Sequence, residues 1–86
     1  MYQCEYEVFN NTENMIKTFD MSEIATVNPP MVTPIESGSS HKFFGHDMNF
    51  ERIRNNFAAK CFELGVPNNK QGLYLAISTI DVAEEE

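Results

Sequence analysis

The strongest constraint on this chain is a stripe of apolar side chains at Phe50, Ile53, Phe57, Ala58, Cys61 and Leu64, whose spacing puts them on one face of an α-helix. The boundaries of that helix are as clear as its face. Asp47 and Asn49 can each accept a backbone hydrogen bond at a helix start, Gly65 can take the left-handed conformation that ends a helix, and Pro67 blocks continuation. Past the turn, Leu73, Ala76, Ile77, Ile80 and Ala83 recur at spacings of three and four, which predicts a second helix. A connection this short makes the two helices antiparallel neighbours. The expected fold is mainly α: an antiparallel helical hairpin, about residues 48–64 and 69–83, forming a working domain over 41–86.

Residues 1–40 predict an N-terminal extension and linker. Tyr2, Cys4, Tyr6 and Val8 alternate with Gln3, Glu5 and Glu7, the period of a half-buried strand, and Asn10-Asn11 ends it. From Thr12, a plausible cap, Met15, Ile16 and Phe19 make one short helical face. Residues 27–40 hold Asn28-Pro29-Pro30, Pro34 and Glu36-Ser37-Gly38-Ser39-Ser40, a composition that resists helix and strand and predicts a linker.

A chain of 86 residues has room for one small domain with a marginal core, which self-association would support. No apolar run reaches the roughly 18–20 residues of a membrane span, and the first residues lack the layout of a secretory signal, so the expectation is a cytosolic protein. Cys4 and Cys61 have no partner at metal-ligand spacing and are expected to be buried free thiols. The net charge of −7 is uneven: residues 1–40 carry six acids against Lys17, and Glu84, Glu85 and Glu86 end the chain. Between 41 and 83, five basic residues face four acids, so an anionic ligand finds a locally basic surface only there.

Catalytic signatures are missing. There is no phosphate-cradling glycine loop, no glycine-flanked serine and no pair of histidines one helical turn apart. Asp47, Glu51 and Asp81 are explained by a cap, a solvated face and a helix end. The expectation is a protein that is not an enzyme and uses no metal or cofactor. His41-Lys42-Phe43-Phe44-Gly45-His46, just ahead of Arg52 and Arg54, combines cations, aromatic rings and imidazoles suited to phosphates and bases. The same residues also suit a plainer reading, in which a phenylalanine plugs the hairpin and the cations are solvated.

The segments KFFGH, NFERIR and LAISTIDVA, in this order around a turn at Val66-Pro67, resemble the phage anti-CBASS cyclic-nucleotide sponge family with its helical hairpin domain. Lys42, Phe43 and His46 match the first piece; Phe50, Glu51, Ile53 and Arg54 the second; Leu75, Ala76, Ile77, Ser78, Ile80, Asp81 and Ala83 the third. Gly45 stands where the family often has tyrosine. The resemblance implies a homo-hexamer that sequesters cyclic dinucleotides, and in the family cyclic trinucleotides, without cleaving them. It implies ligand-binding roles for Lys42, Phe43, Phe44, His46, Arg54 and Ser78, action in the cytoplasm of the infected bacterial host, and no use for a membrane or a DNA or RNA polymer. The alternative is an acidic phage inhibitor that binds a host protein, its charged flanks imitating nucleic acid.

Overall fold

The computed structural model describes residues 2–27 and 32–81. Among the described residues the backbone is mostly β, with five strands and one α-helix, which corrects the expected helical hairpin. The strands are β1 (Tyr2–Asn10), β2 (Ile16–Asp20), β3 (Val32–Ile35), β4 (Ser40–Gly45) and β5 (Leu73–Asp81), and the helix α1 (Phe50–Leu64) lies between the last two.

The main sheet has the order β4-β1-β5, with β1 antiparallel to both neighbours. Along β1 the alternation written in the sequence is realised: Cys4, Tyr6 and Val8 are buried, while Gln3, Glu5 and Glu7 are half-exposed on the other face. Because β4 and β5 both oppose β1, they run parallel to each other, and such a pair needs a long crossover. The helix α1 is that crossover. It lays Ile53, Phe57 and Cys61 against the inner face of the sheet.

Both ends of α1 are closed as the residues suggest. The Asn49 side chain accepts from the backbone N–H of Arg52 at 3.2 Å. Asp47, one turn outside, accepts from the N–H of Asn49 at 3.1 Å and pairs with Arg52. At the far end Gly65 has φ 71°, and its N–H bonds back to Phe62 and Cys61.

The expected second helix is instead the strand β5. Its apolar residues fit a helical spacing at Leu73, Ala76, Ile77 and Ile80, yet Leu73, Leu75 and Ile77 alternate just as well, and Tyr74, Ile77, Thr79 and Ile80 are strand-favouring side chains. Pairing with β1 over nine consecutive positions, Tyr2↔Asp81 through Asn10↔Leu73, decides between them. Ala83, the last residue of the expected stripe, lies outside the described residues.

The expected short helix after Thr12 is also a strand. β2 pairs with β3 in a small second sheet that packs Ile16, Phe19 and Ile35 into the core, with the Phe19 ring 6.2 Å from Phe43 and 6.3 Å from Phe57. The expected linker over 27–40 holds β3 and the start of β4; its Asn28-Pro29-Pro30 lies outside the described residues. Pro34 is tolerated because β3 pairs, among the described residues, only with β2 and so has one edge without a ladder partner there. Residues on both sides of position 40 thus share one core.

Among the described residues Asn10 is the one buried polar residue of that core. Its Nδ2 donates to the carbonyls of Asn14 at 2.8 Å and Ile35 at 3.0 Å, and its Oδ1 accepts from the Thr12 N–H at 3.1 Å and the Thr12 hydroxyl at 2.5 Å. It pins the end of β1 to β3.

Candidate functional site

A strand sends successive side chains to opposite faces, and that rule separates the residues expected to form one site. Phe43 points inward and is 3% exposed, between Phe19 and the His41 ring, whose centroid is 4.7 Å away. Phe44, its neighbour, points outward and is 42% exposed. The two rings cannot clamp one base. His46 is exposed in the connection after β4.

Lys42 and Phe44 share the outer face of the sheet with Ser78, because Phe44 and Ser78 both flank Glu5 and Lys42 sits opposite Glu7. Carboxylates already occupy this face. Lys42 lies 3.4 Å from Glu5, and the Ser40 hydroxyl donates to Glu7 at 2.7 Å. A phosphate placed here would meet two carboxylates for one cation. Gly45 is closed to any side chain: a Cβ built on it would lie 2.1 Å from the carbonyl oxygen of Thr26, so the tyrosine of the resemblance has no room.

Arg54 lies elsewhere. It projects from α1 into an open cleft of about 510 Å³ at the outer edge of β5, a volume in the range of small-molecule sites. Phe57, Leu75 and Ile77 form its apolar wall. Asn68, Asn69 and Lys70, from the loop before β5, close one end, and the Lys70 ammonium stands 5.9 Å over the Tyr74 ring. Tyr74 itself packs on Phe9 with centroids 5.8 Å apart.

Charge pairing distinguishes the cleft from the rest of the surface. Of the six Lys and Arg residues, Lys42, Arg52 and Lys60 pair with carboxylates. Among the described residues Arg54, Lys70 and Lys17 have no such pairing, and the first two line the same cleft. Lys70, Asn68 and Asn69 were not among the expected site residues. The signal for them was an amide-amide-cation run in a turn, which without the fold reads as ordinary turn chemistry.

The backbone along this cleft is also open. In an antiparallel ladder the N–H and C=O of one residue point to the same neighbour and those of the next residue to the other. Asn10 exchanges bonds with the β4 side, through Asn10 N–H to Ser39 and Gly38 N–H to Asn10, whereas the Asn11 N–H bonds Gly72 on the β5 side. The β5 residues that bond β1 are therefore Tyr74, Ala76, Ser78 and Ile80. Leu73, Leu75, Ile77 and Thr79 turn their backbone groups outward. Leu73 uses its N–H on the carbonyl of Pro67 at 2.9 Å, and among the described residues nothing pairs with the outward groups of the other three.

Two titratable groups of the core are shifted by burial. Burial pushes the Tyr6 phenol well above its usual value, an effect its neighbour Cys4 reinforces, and the hydroxyl donates to the backbone carbonyl of Asp47. Burial pushes the Cys61 thiol up to about 11. Among the described residues no three His, Cys, Asp or Glu side chains gather as a metal site, and no helix is long and apolar enough to cross a membrane. Compared with known proteins, the chain matches no family model, no curated protein and no solved structure.

Proposed function

We propose that this protein works by capture without conversion, and that the cleft between α1 and the edge of β5 holds an anionic ligand of nucleotide size. The observation that carries this is the placement of Arg54 and Lys70, cations without carboxylate partners among the described residues, in one cleft of a chain with net charge −7. A cation that gains nothing from a carboxylate, in a chain this acidic, is best explained by an anion that binds it. Tyr74, whose ring is partly exposed at the cleft, adds flat apolar surface for a base.

The ligand class that fits the volume and the paired charges is a cyclic dinucleotide, with two phosphates and two bases. On this reading the protein sequesters a bacterial immune signal inside an infected cell as a phage counter-defence protein. The support is the cleft chemistry together with the resemblance at NFERIR, which includes Arg54. The hairpin part of that resemblance falls on β5, so a hexamer built from hairpins is not carried over.

A second reading rests on the open edge of β5: a host protein could add a strand there, which suits an acidic inhibitor.

One experiment separates the two. In calorimetric titration against a panel of cyclic dinucleotides, the wild-type chain binds at least one member, and Arg54→Ala weakens that binding by about 30- to 150-fold, the loss of roughly 2–3 kcal/mol for a hydrogen-bonded charge. Arg54 is exposed, so the variant melts within about 0.5 kcal/mol of wild type. A flat titration across the panel removes the nucleotide reading and leaves strand addition. Wild-type affinity in Arg54→Ala removes the cleft as the site.

A further inference from the structure

Sheet edges invite pairing, and folded chains blunt them with proline, lysine, bulges or a covering segment. Two of the edges here are blunted in such ways. β3 carries Pro34, and the outer side of β4 is met by Val27 in a bridge to Gly45. The edge of β5 is different. Its nine residues contain no proline and no lysine, and its pairing with β1 runs without a bulge. Among the described residues only its first position is closed, where Leu73 bonds Pro67. Leu75 and Ile77 flank the open stretch, half-buried against the core and half in the cleft.

We infer that a second copy of this chain covers the edge, with β5 pairing antiparallel to the partner's β5 about a two-fold axis at Ile77. The backbone parity selects this register. Leu75, Ile77 and Thr79 present outward donors and acceptors, so an axis at Ile77 sets Ile77 against the partner's Ile77 and Leu75 against the partner's Thr79. Each facing pair exchanges two hydrogen bonds. The two three-stranded sheets become one continuous sheet of order β4-β1-β5 followed by its symmetry mate.

Charge selects a second copy over an unrelated strand. Antiparallel pairing brings the end of one β5 beside the start of the other, where Pro67 and Asn68 already fill the edge and the incoming chain must leave it. The departing end is acidic: Asp81, and in the sequence beyond it Glu84, Glu85 and Glu86. The receiving end carries Lys70 with Asn69. A chain of net charge −7 repels its own copies except where such opposite charges are set together. The pairing also completes the cleft, since the partner's Ile77 and Thr79 then form part of its floor beside Arg54. It stands independently of the nucleotide reading and is tested with no ligand present.

The test is sedimentation of the full chain at tens of micromolar. Wild type sediments as a dimer, and Thr79→Pro shifts the dissociation constant upward by at least roughly tenfold, because proline removes an N–H that faces the partner and leaves the ladder to β1 intact. A variant that also loses its fold is replaced by a covalent readout. The Cα atoms of a hydrogen-bonded antiparallel pair lie about 5.5 Å apart, within disulfide reach. Oxidised Ile77→Cys then runs as a reducible covalent dimer, whereas Ser78→Cys, which faces the partner's Ala76, does not. The native thiols do not interfere, since Cys4 and Cys61 are buried. A monomeric wild type, a dimer untouched by Thr79→Pro in a folded protein, or cross-linking equal at positions 77 and 78 overturns the inference.

Discussion

Asn10 offers the most direct test of how the two sheets are held together. Its buried amide makes four hydrogen bonds, two as donor to the carbonyls of Asn14 and Ile35 and two as acceptor from Thr12. Asn10→Ala leaves the Ile35 carbonyl buried without that donor and opens a small void. With a lost hydrogen bond at about 1 kcal/mol and an orphaned buried acceptor at about 1–3 kcal/mol, the expected loss is about 3 kcal/mol, or roughly 12–24 °C in melting temperature. Asn10→Asp is the sharper perturbation because it keeps the shape and reverses one polarity. The oxygen that replaces Nδ2 then faces two carbonyl oxygens, and the carboxylate is buried. Both effects favour the protonated form, so the carboxyl is raised in the folded state above its unfolded value near about 3.9. A raised folded value means that the variant is most stable at acid pH, below the unfolded value, and loses stability as pH rises through the folded value. Melts followed by circular dichroism across pH 3–8 read this directly. If Asn10→Asp matches wild type at neutral pH, the amide is not the pin between the sheets.

Gly45→Ala should destabilise by about 1–3 kcal/mol or prevent folding, because its Cβ would strike the backbone of Thr26; a melt equal to wild type would show that the approach of residues 26 and 45 is wrong. Cys61, held at about 11 by burial, should resist a disulfide-exchange reagent at pH 8 in the native protein and react only on unfolding, and fast reaction without denaturant would refute its burial. Lys60 is raised above its usual value first by its 2.5 Å hydrogen bond to Glu23, so the stability it contributes is present below about pH 10.5 and declines as pH rises through the higher folded value. Since Glu23 is largely exposed, Lys60→Met should cost under about 1 kcal/mol, and a larger loss in thermal melts would mean that this link between α1 and the turn at Met21–Glu23 matters more than solvent screening allows.

Segments whose signals are local were legible in the sequence. α1 carries its own cap, stripe and stop, and β1 alternates cleanly because one of its faces is covered and the other is not. Segments whose conformation depends on a distant partner were not. β2 lacks a long pattern of its own and exists through its pairing with β3, and the serine- and glycine-rich stretch is disordered only in composition: Gly38, with φ 75°, makes the turn that lets β4 return to β1. At the site, the residue types near KFFGH were read together because they are adjacent in sequence, whereas a strand divides them between core and surface. Arg54 reaches the cleft from α1, but Lys70 joins it from the loop before β5 and Tyr74 from β5 itself.

The ambiguity of β5 has a physical source that bears on its function. A strand covered on one face alternates strictly, and a strand buried on both is apolar throughout; β5 is neither, because it starts under α1 at Leu73 and leaves the core by Ser78, where both faces are exposed. Its side chains therefore pass from an inward-facing rule to no rule, and Ala76 and Ile80 on the outer face fill in spacings of three and four that imitate a helix. A helix would satisfy its own backbone, and the strand cannot. It takes half of its hydrogen bonds from β1 and, from Leu75 to Thr79, leaves the other half facing outward. Apolar residues at Leu75 and Ile77 beside backbone that no described residue pairs are costly to leave in water, so the feature that hides this strand in the sequence is also the one that calls for a partner along its edge.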